Sequence, residues 1–334
     1  MSGSCFTLCS GLALFLYGMI VLSHHLEQLA GPRLQGFLHR MTSSTASGLL
    51  LGAGITIALQ SSSALTVMLV GLVNAGVMRL SHTIAVIIGS NIGTTLTPWL
   101  LVLTGLEHKS RLPELLTPQI LSALLALIGV FLVMLSARTT RREAGHILVG
   151  FFLLILGMEQ MRQAAASLAT LPRFALFADS FQNPLLGILA GAVCTGMIQS
   201  SAASIGILQA FSLTGSITYA MAIPVIMGQN IGTCITALLS SIAANRNAKQ
   251  AALLHLFFNL FGTMAGILLL FCCSRLFPLL FLNTPIHANG IALCHTLFNL
   301  FTTLLLLPFL QTLERFAAAW ELRDSRRRFH SFRK

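Results

Sequence analysis

Two short polar runs lie where hydrophobic sequence surrounds them: QSSSA at 60–64 and QSSAA at 199–203. A polar group buried without a partner costs roughly 2–7 kcal/mol, so such runs must hold something or bond to one another. If each run sits where a helix breaks, the new helix end brings together backbone N–H groups, a positive dipole end and several hydroxyls. That combination suits an anion without any lysine or arginine. The plainer role is Ser and Gln joining neighbouring helices by small-residue contact and hydrogen bonds. Two copies at matched positions favour the anion site, built from Gln60, Ser61 and Ser62 with Gln199, Ser200 and Ser201.

A second pair of motifs accompanies the first, GSNIGTT at 89–95 and GQNIGTC at 228–234. Glycines flanking an Asn and followed by Thr in mid-span predict a helix that unwinds inside a membrane. The unwound stretch would offer carbonyl oxygens, the Asn91 and Asn230 amides and the Thr94 and Thr233 hydroxyls. Neutral oxygens of this kind, with Ser62 and Ser201 beside them, are ligands for a hard monovalent cation such as Na⁺. A glycine-rich kink with Thr bonding back to its own helix is the alternative. HLFFN at 255–259 and HTLFN at 295–299 place a His and an Asn on one helix face, a pattern read here as structural.

What is missing narrows the chemistry. No Asp falls in an expected span, and Glu159 is the one acidic candidate near the end of one. A proton-driven carrier would show an intramembrane carboxylate or a relay of them. A metal transporter would show clustered His, Cys or carboxylates. The seven cysteines include no CxxC pair. No nucleophile–base pair speaks for an enzyme, and no cofactor is expected beyond Na⁺ as the coupling ion.

These motifs need elements to position them, and composition says which. The chain has 334 residues, 55% hydrophobic and only 9% charged, with a mean hydropathy of +0.83. Soluble domains carry about 25% charged residues, so a soluble enzyme and a disordered chain are excluded. The net charge of +11 invites a nucleic-acid partner. The basic residues lie between or beyond apolar runs, however, as membrane-helix anchors do, and no nucleic acid is expected. The sequence predicts an all-α membrane protein whose partner is the lipid bilayer, as a monomer or homodimer.

A span needs about 20 apolar residues. Crossings are expected near 5–22, 81–104, 117–136, 144–162, 219–243, 249–272 and 288–310. The first carries no basic residue ahead of it and no cleavage pattern after it, so it is read as a span and not a signal peptide. Segments 46–78 and 185–217 are too long for one helix and are interrupted by the QSS runs, which predicts two re-entrant helical hairpins. With the basic tail at 313–334 in the cytoplasm, fifteen Lys and Arg fall inside against five outside, placing the N-terminus outside and the C-terminus inside.

Adding 139 to a residue number in the first half finds its likeness in the second. Gly11 and Gly18 become Gly150 and Gly157, Gln60 becomes Gln199, Asn91 becomes Asn230, and Thr97 becomes Thr236. Three crossings separate the starts of the units, so the second is upside down. Inverted repeats of this kind put a binding site near the midplane of a secondary transporter. The units run 1–136, with hairpin 46–78 and broken helix 81–104, and 137–272, with hairpin 185–217 and broken helix 219–243. One further transmembrane helix falls within 273–312.

With both QSS and both NIGT motifs in place, the chain resembles the type II sodium–phosphate cotransporters in their compact bacterial form, without a PhoU-like cytoplasmic domain. The resemblance spans about 11–310. It implies Na⁺-coupled transport of inorganic phosphate by alternating access across the bacterial inner membrane. It also implies that Gln60, Ser61, Ser62, Ser63, Gln199, Ser200 and Ser201 contact phosphate, and that Ser62, Asn91, Thr94, Thr95, Ser201, Asn230 and Thr233 hold sodium. Ala202 and Cys234 depart from the motif, where the first unit has Ser63 and Thr95. A carrier for another small oxyanion or carboxylate, and an anion channel, remain open on the residues alone.

Overall fold

The computed structural model describes residues 2–41, 44–104, 118–169, 180–313 and 315. The basic tail beyond 315, with Lys109, Arg111 and Arg173, lies outside the described residues. What is described is nearly all helix, with no strand and one isolated antiparallel bridge, Thr218 to Pro285. In chain order the helices are α1 Ser2–Met41, α2 Thr45–Leu59, α3 Ser62–Asn74, α4 Leu80–Thr94, α5 Leu96–Thr104, α6 Pro118–Leu135 and α7 Thr139–Ala169. They continue with α8 Pro184–Ile198, α9 Ser201–Ser212, α10 Tyr219–Ser241, α11 Arg246–Leu276 and α12 Ala288–Leu306.

Six stretches among the described residues are long and apolar enough to cross a membrane, and each overlaps an expected span. The seventh, expected at 117–136, is the shorter α6. Its face bearing Leu124, Leu127, Phe131 and Leu135 is exposed, as a lipid-facing helix requires. The first span was expected at 5–22, but the helix runs through Ser2–Met41, past the end of the apolar run and through Gly31 and Pro32.

The two segments interrupted by QSS each form a pair of short helices. At 15 and 13 residues, and 15 and 12, every arm is shorter than a bilayer crossing requires. The first arm of each pair packs parallel to the long helix that follows it. A Cβ on Gly52 would stand 2.0 Å from the Val86 carbonyl oxygen, and one on Gly89 would stand 2.1 Å from that of Leu49. The second half repeats this at the same offset, with Gly191 at 2.1 Å from the Val225 oxygen and Gly228 at 2.0 Å from the Ile188 oxygen. Since α2 and α4 run the same way, α3 between them carries the chain back, and α9 does the same between α8 and α10.

That packing corrects one expectation. The GxNIGT segments do not unwind. Helix α10 is continuous from Tyr219 to Ser241 through GQNIGTC, and the first copy is interrupted only at Thr95, between α4 and α5. The glycines admit the backbone of α2 and α8 at distances no side chain allows; close helix approach, not helix breaking, is what they supply. The long helices α1 and α7 cross antiparallel by the same device, Gly11 against Gly157 and Gly18 against Gly150. The His25 ring and the Glu143 carboxylate tie the same two helices by a hydrogen bond.

Candidate functional site

Both helix breaks turn on the same residue type. Gln60 (φ 53°, ψ 24°) and Gln199 (φ 58°, ψ 23°) are the only non-glycine residues with positive φ among those described. The left-handed conformation ends α2 and α8 in one residue. Ser61 and Ser200 follow in extended conformation as N-caps of α3 and α9. Their hydroxyl oxygens accept from the Ala64 and Ala203 amides at 3.1 and 3.2 Å. A hydroxyl that accepts one bond still has its own proton to donate. Ahead of each cap bond, the first-turn amides of Ser62 and Ser63, and of Ser201 and Ala202, have no partner within their helices.

The fold brings both tips to one cavity of about 580 Å³. Gln60, Ser61, Ser62 and Ser63 line it from one side, and Gln199, Ser200, Ser201 and Ala202 from the other. Helix α1 closes it with Leu16, Met19, Ile20 and Ser23. No Lys, Arg, Asp or Glu is among its lining residues, so its positive potential comes from two helix N-termini facing one space.

Three polar lining residues escaped the sequence reading. Thr56, one turn before the tip, is buried and its Oγ1 has no partner among the described residues. Thr97 donates through Oγ1 to the Gln60 Oε1 at 3.1 Å, while Gln60 Nε2 donates to the Ile57 carbonyl at 2.7 Å. Ser23 joins them from α1. A signal was there for two of the three, because Thr56 and Thr97 have Thr195 and Thr236 as counterparts 139 residues on.

Of the expected sodium ligands, Ser62, Thr94 and Ser201 line the cavity, whereas Asn91, Thr95, Asn230 and Thr233 do not. Thr94 and Thr233 donate to the Ser90 and Gln229 carbonyls of their own helices at 2.8 and 2.9 Å, and Thr95 donates to Ile92 at 2.7 Å. Asn230 donates to Ile226 at 3.1 Å. Asn91 belongs to a buried network across three helices. Its Nδ2 donates to Asn259 Oδ1 at 3.4 Å, and its Oδ1 lies 3.3 Å from His255 Nε2. Asn259 Nδ2 in turn donates to the His255 carbonyl at 3.0 Å and reaches Cys234 Sγ at 3.3 Å. The HLFFN motif therefore serves packing around the first NIGT motif.

Among known proteins, one of Bacillus subtilis called "Uncharacterized protein YqeW" is 31% identical over 88% of this chain and 91% of its own length. The Escherichia coli protein called "Putative inorganic phosphate export protein YjbB" is 27% identical over 92% of this chain, which spans only 54% of that relative. Rat "Sodium-dependent phosphate transport protein 2A" is 38% identical over 89 residues, 26% of this chain and 14% of its own. No solved structure matches. The profile described as Na⁺/Pi-cotransporter matches twice, over residues 14–163 and 153–282, and the chain belongs to that family of multi-pass membrane proteins.

Proposed function

We propose that the protein carries inorganic phosphate across the membrane together with Na⁺, by alternating access at the cavity between the two QSS tips. The observation that carries this reading is the convergence of two capped helix N-termini, α3 and α9, with their hydroxyls and amides, on one space whose remaining wall is largely apolar and which no charged side chain lines. A divalent anion entering such a space loses its hydration, and helix ends offset only part of that, up to ~2 kcal/mol each. Cations bound alongside supply the remainder, and Ser62, Thr94 and Ser201 are the neutral oxygens nearest to hand. Asn91, Thr95, Asn230 and Thr233 would join them only if the helices carrying them shift.

An inverted repeat with re-entrant hairpins is the architecture proposed for this carrier. It is supported by the matched packing of α2 on α4 and α8 on α10, and by the antiparallel crossing of the equivalent helices α1 and α7 at equivalent glycines. The direction of net flux follows the combined gradients of the two solutes, so a relative named for phosphate export is compatible with the same site. Purified protein in liposomes, with labelled phosphate and Na⁺ exchanged for choline under an imposed proton gradient, tests the reading. Phosphate movement should saturate and require Na⁺. Undiminished accumulation in choline refutes the coupling, and flux that never saturates makes the protein a channel.

A further inference from the structure

The two tips match in sequence at Gln60, Ser61 and Ser62 against Gln199, Ser200 and Ser201, and are unlike in use. Gln60 is pinned. The Ile57 carbonyl can only accept, which assigns the amide nitrogen to it and leaves the oxygen for the Thr97 hydroxyl. Its counterpart Gln199 makes neither bond, is exposed to the cavity, and has no side-chain partner among the described residues. Thr236, the counterpart of Thr97, donates instead to the Thr233 carbonyl of its own helix at 2.9 Å. The wall repeats the difference. Thr56, Thr94 and Thr97 line the cavity, whereas their equally buried counterparts Thr195 and Thr233, and Thr236, do not. Met19 lines the cavity and its counterpart Met158 does not, although both belong to one apolar cluster with Phe15 and Ala202.

We propose that this arrangement is one of two related by the repeat, and that Thr97 and Thr236 are positioning residues that hold the tip glutamines in turn. The proposal rests on the carrier reading above. In the other state the cavity is walled by Thr195, Thr233 and Thr236. Thr236 leaves the Thr233 carbonyl and donates to Gln199 Oε1, while Thr97 releases Gln60 and returns to the Thr94 carbonyl of its own chain. One hydroxyl bond is exchanged for another in each half. The two states therefore differ little in hydrogen-bond energy, as a bistable element needs if a ligand is to shift it. The held glutamine presents its remaining N–H to the anion on the open side, and the free one is the next to be held.

Two measurements test this in the full-length protein. In oriented liposomes, Thr97→Val should raise the KM for phosphate on one face by roughly 3- to 10-fold, the worth of one hydrogen bond, and leave the other face unchanged. Thr236→Val should do the reverse, and Thr97→Ser and Thr236→Ser, which keep the hydroxyl, should restore both. In a cysteine-free background, Thr56→Cys and Thr195→Cys should react with a charged, impermeant thiol reagent from opposite sides of the membrane. Equal KM changes on both faces, labelling of both positions from one side, or a Thr195→Cys that never reacts overturns the exchange. Labelling reads access whatever is carried. Opposite-sided labelling in a protein that moves no phosphate would keep the exchange and remove the phosphate, and one-sided labelling with intact phosphate flux would do the opposite.

Discussion

Replacing each tip glutamine by glycine separates what its backbone does from what its amide does. A residue with a Cβ in the left-handed region is strained by roughly 1–2 kcal/mol, and glycine relieves this at the cost of about 0.5–1 kcal/mol of chain entropy. Gln199 has no side-chain hydrogen bond to lose among the described residues, so Gln199→Gly should stabilise the folded protein by about 0.5–1 kcal/mol. Gln60 stands at nearly the same φ but bonds Thr97 and Ile57. Two neutral bonds at ~0.5–1.5 kcal/mol each outweigh the relief, so Gln60→Gly should destabilise by about 1 kcal/mol. Both variants remove an amide from the anion, worth roughly 1.5–3 kcal/mol for a hydrogen bond to a charged group, so phosphate should bind ~10- to 100-fold more weakly in each. Stability is read by thermal or denaturant unfolding in detergent, and affinity by calorimetry with inorganic phosphate in saturating Na⁺. A Gln199→Gly less stable than wild type refutes the strain argument. Unchanged phosphate affinity in both variants refutes the placement of the tips at the anion.

Gly89→Ala and Gly228→Ala each press a methyl into a carbonyl oxygen of the neighbouring helix and should destabilise by about 3 kcal/mol. Gly54→Ala, with open space around it, should be neutral or up to ~1 kcal/mol stabilising, and equal yields of folded protein across the set would contradict the packing. Asn259→Ala strands the Asn91 amide and should lower stability by about 1–3 kcal/mol, and a double-mutant cycle with Asn91→Ala should show coupling above ~0.5 kcal/mol. Thr94→Val should raise the Na⁺ concentration for half-maximal uptake more than it weakens phosphate binding at saturating Na⁺. The opposite order in paired uptake and binding curves removes Thr94 from the cation's ligands.

Much of this molecule is local and therefore legible in its residues. Apolar runs of span length mark the long helices, and a Gln-Ser-Ser interruption in an apolar stretch marks each helix break. The register of 139 residues foretells that both breaks are built alike, down to the left-handed glutamine. What glycine means is not legible in the same way, because the absence of a Cβ serves chain freedom and close packing equally. Only the neighbour decides: the Leu49 and Ile188 carbonyls, some 40 residues earlier in the chain, make Gly89 and Gly228 packing residues and keep helix where unwinding is expected. Asn91 is a polar oxygen in the sequence, and the fold engages it with His255 and Asn259, more than 160 residues away. Thr56 and Thr97 look like ordinary helix threonines until α2, α5 and the second tip enclose one space. Residue type sets what a side chain can bond to, but the packing of distant helices decides which partner is within reach, and so which equivalent residues of the two halves face the cavity.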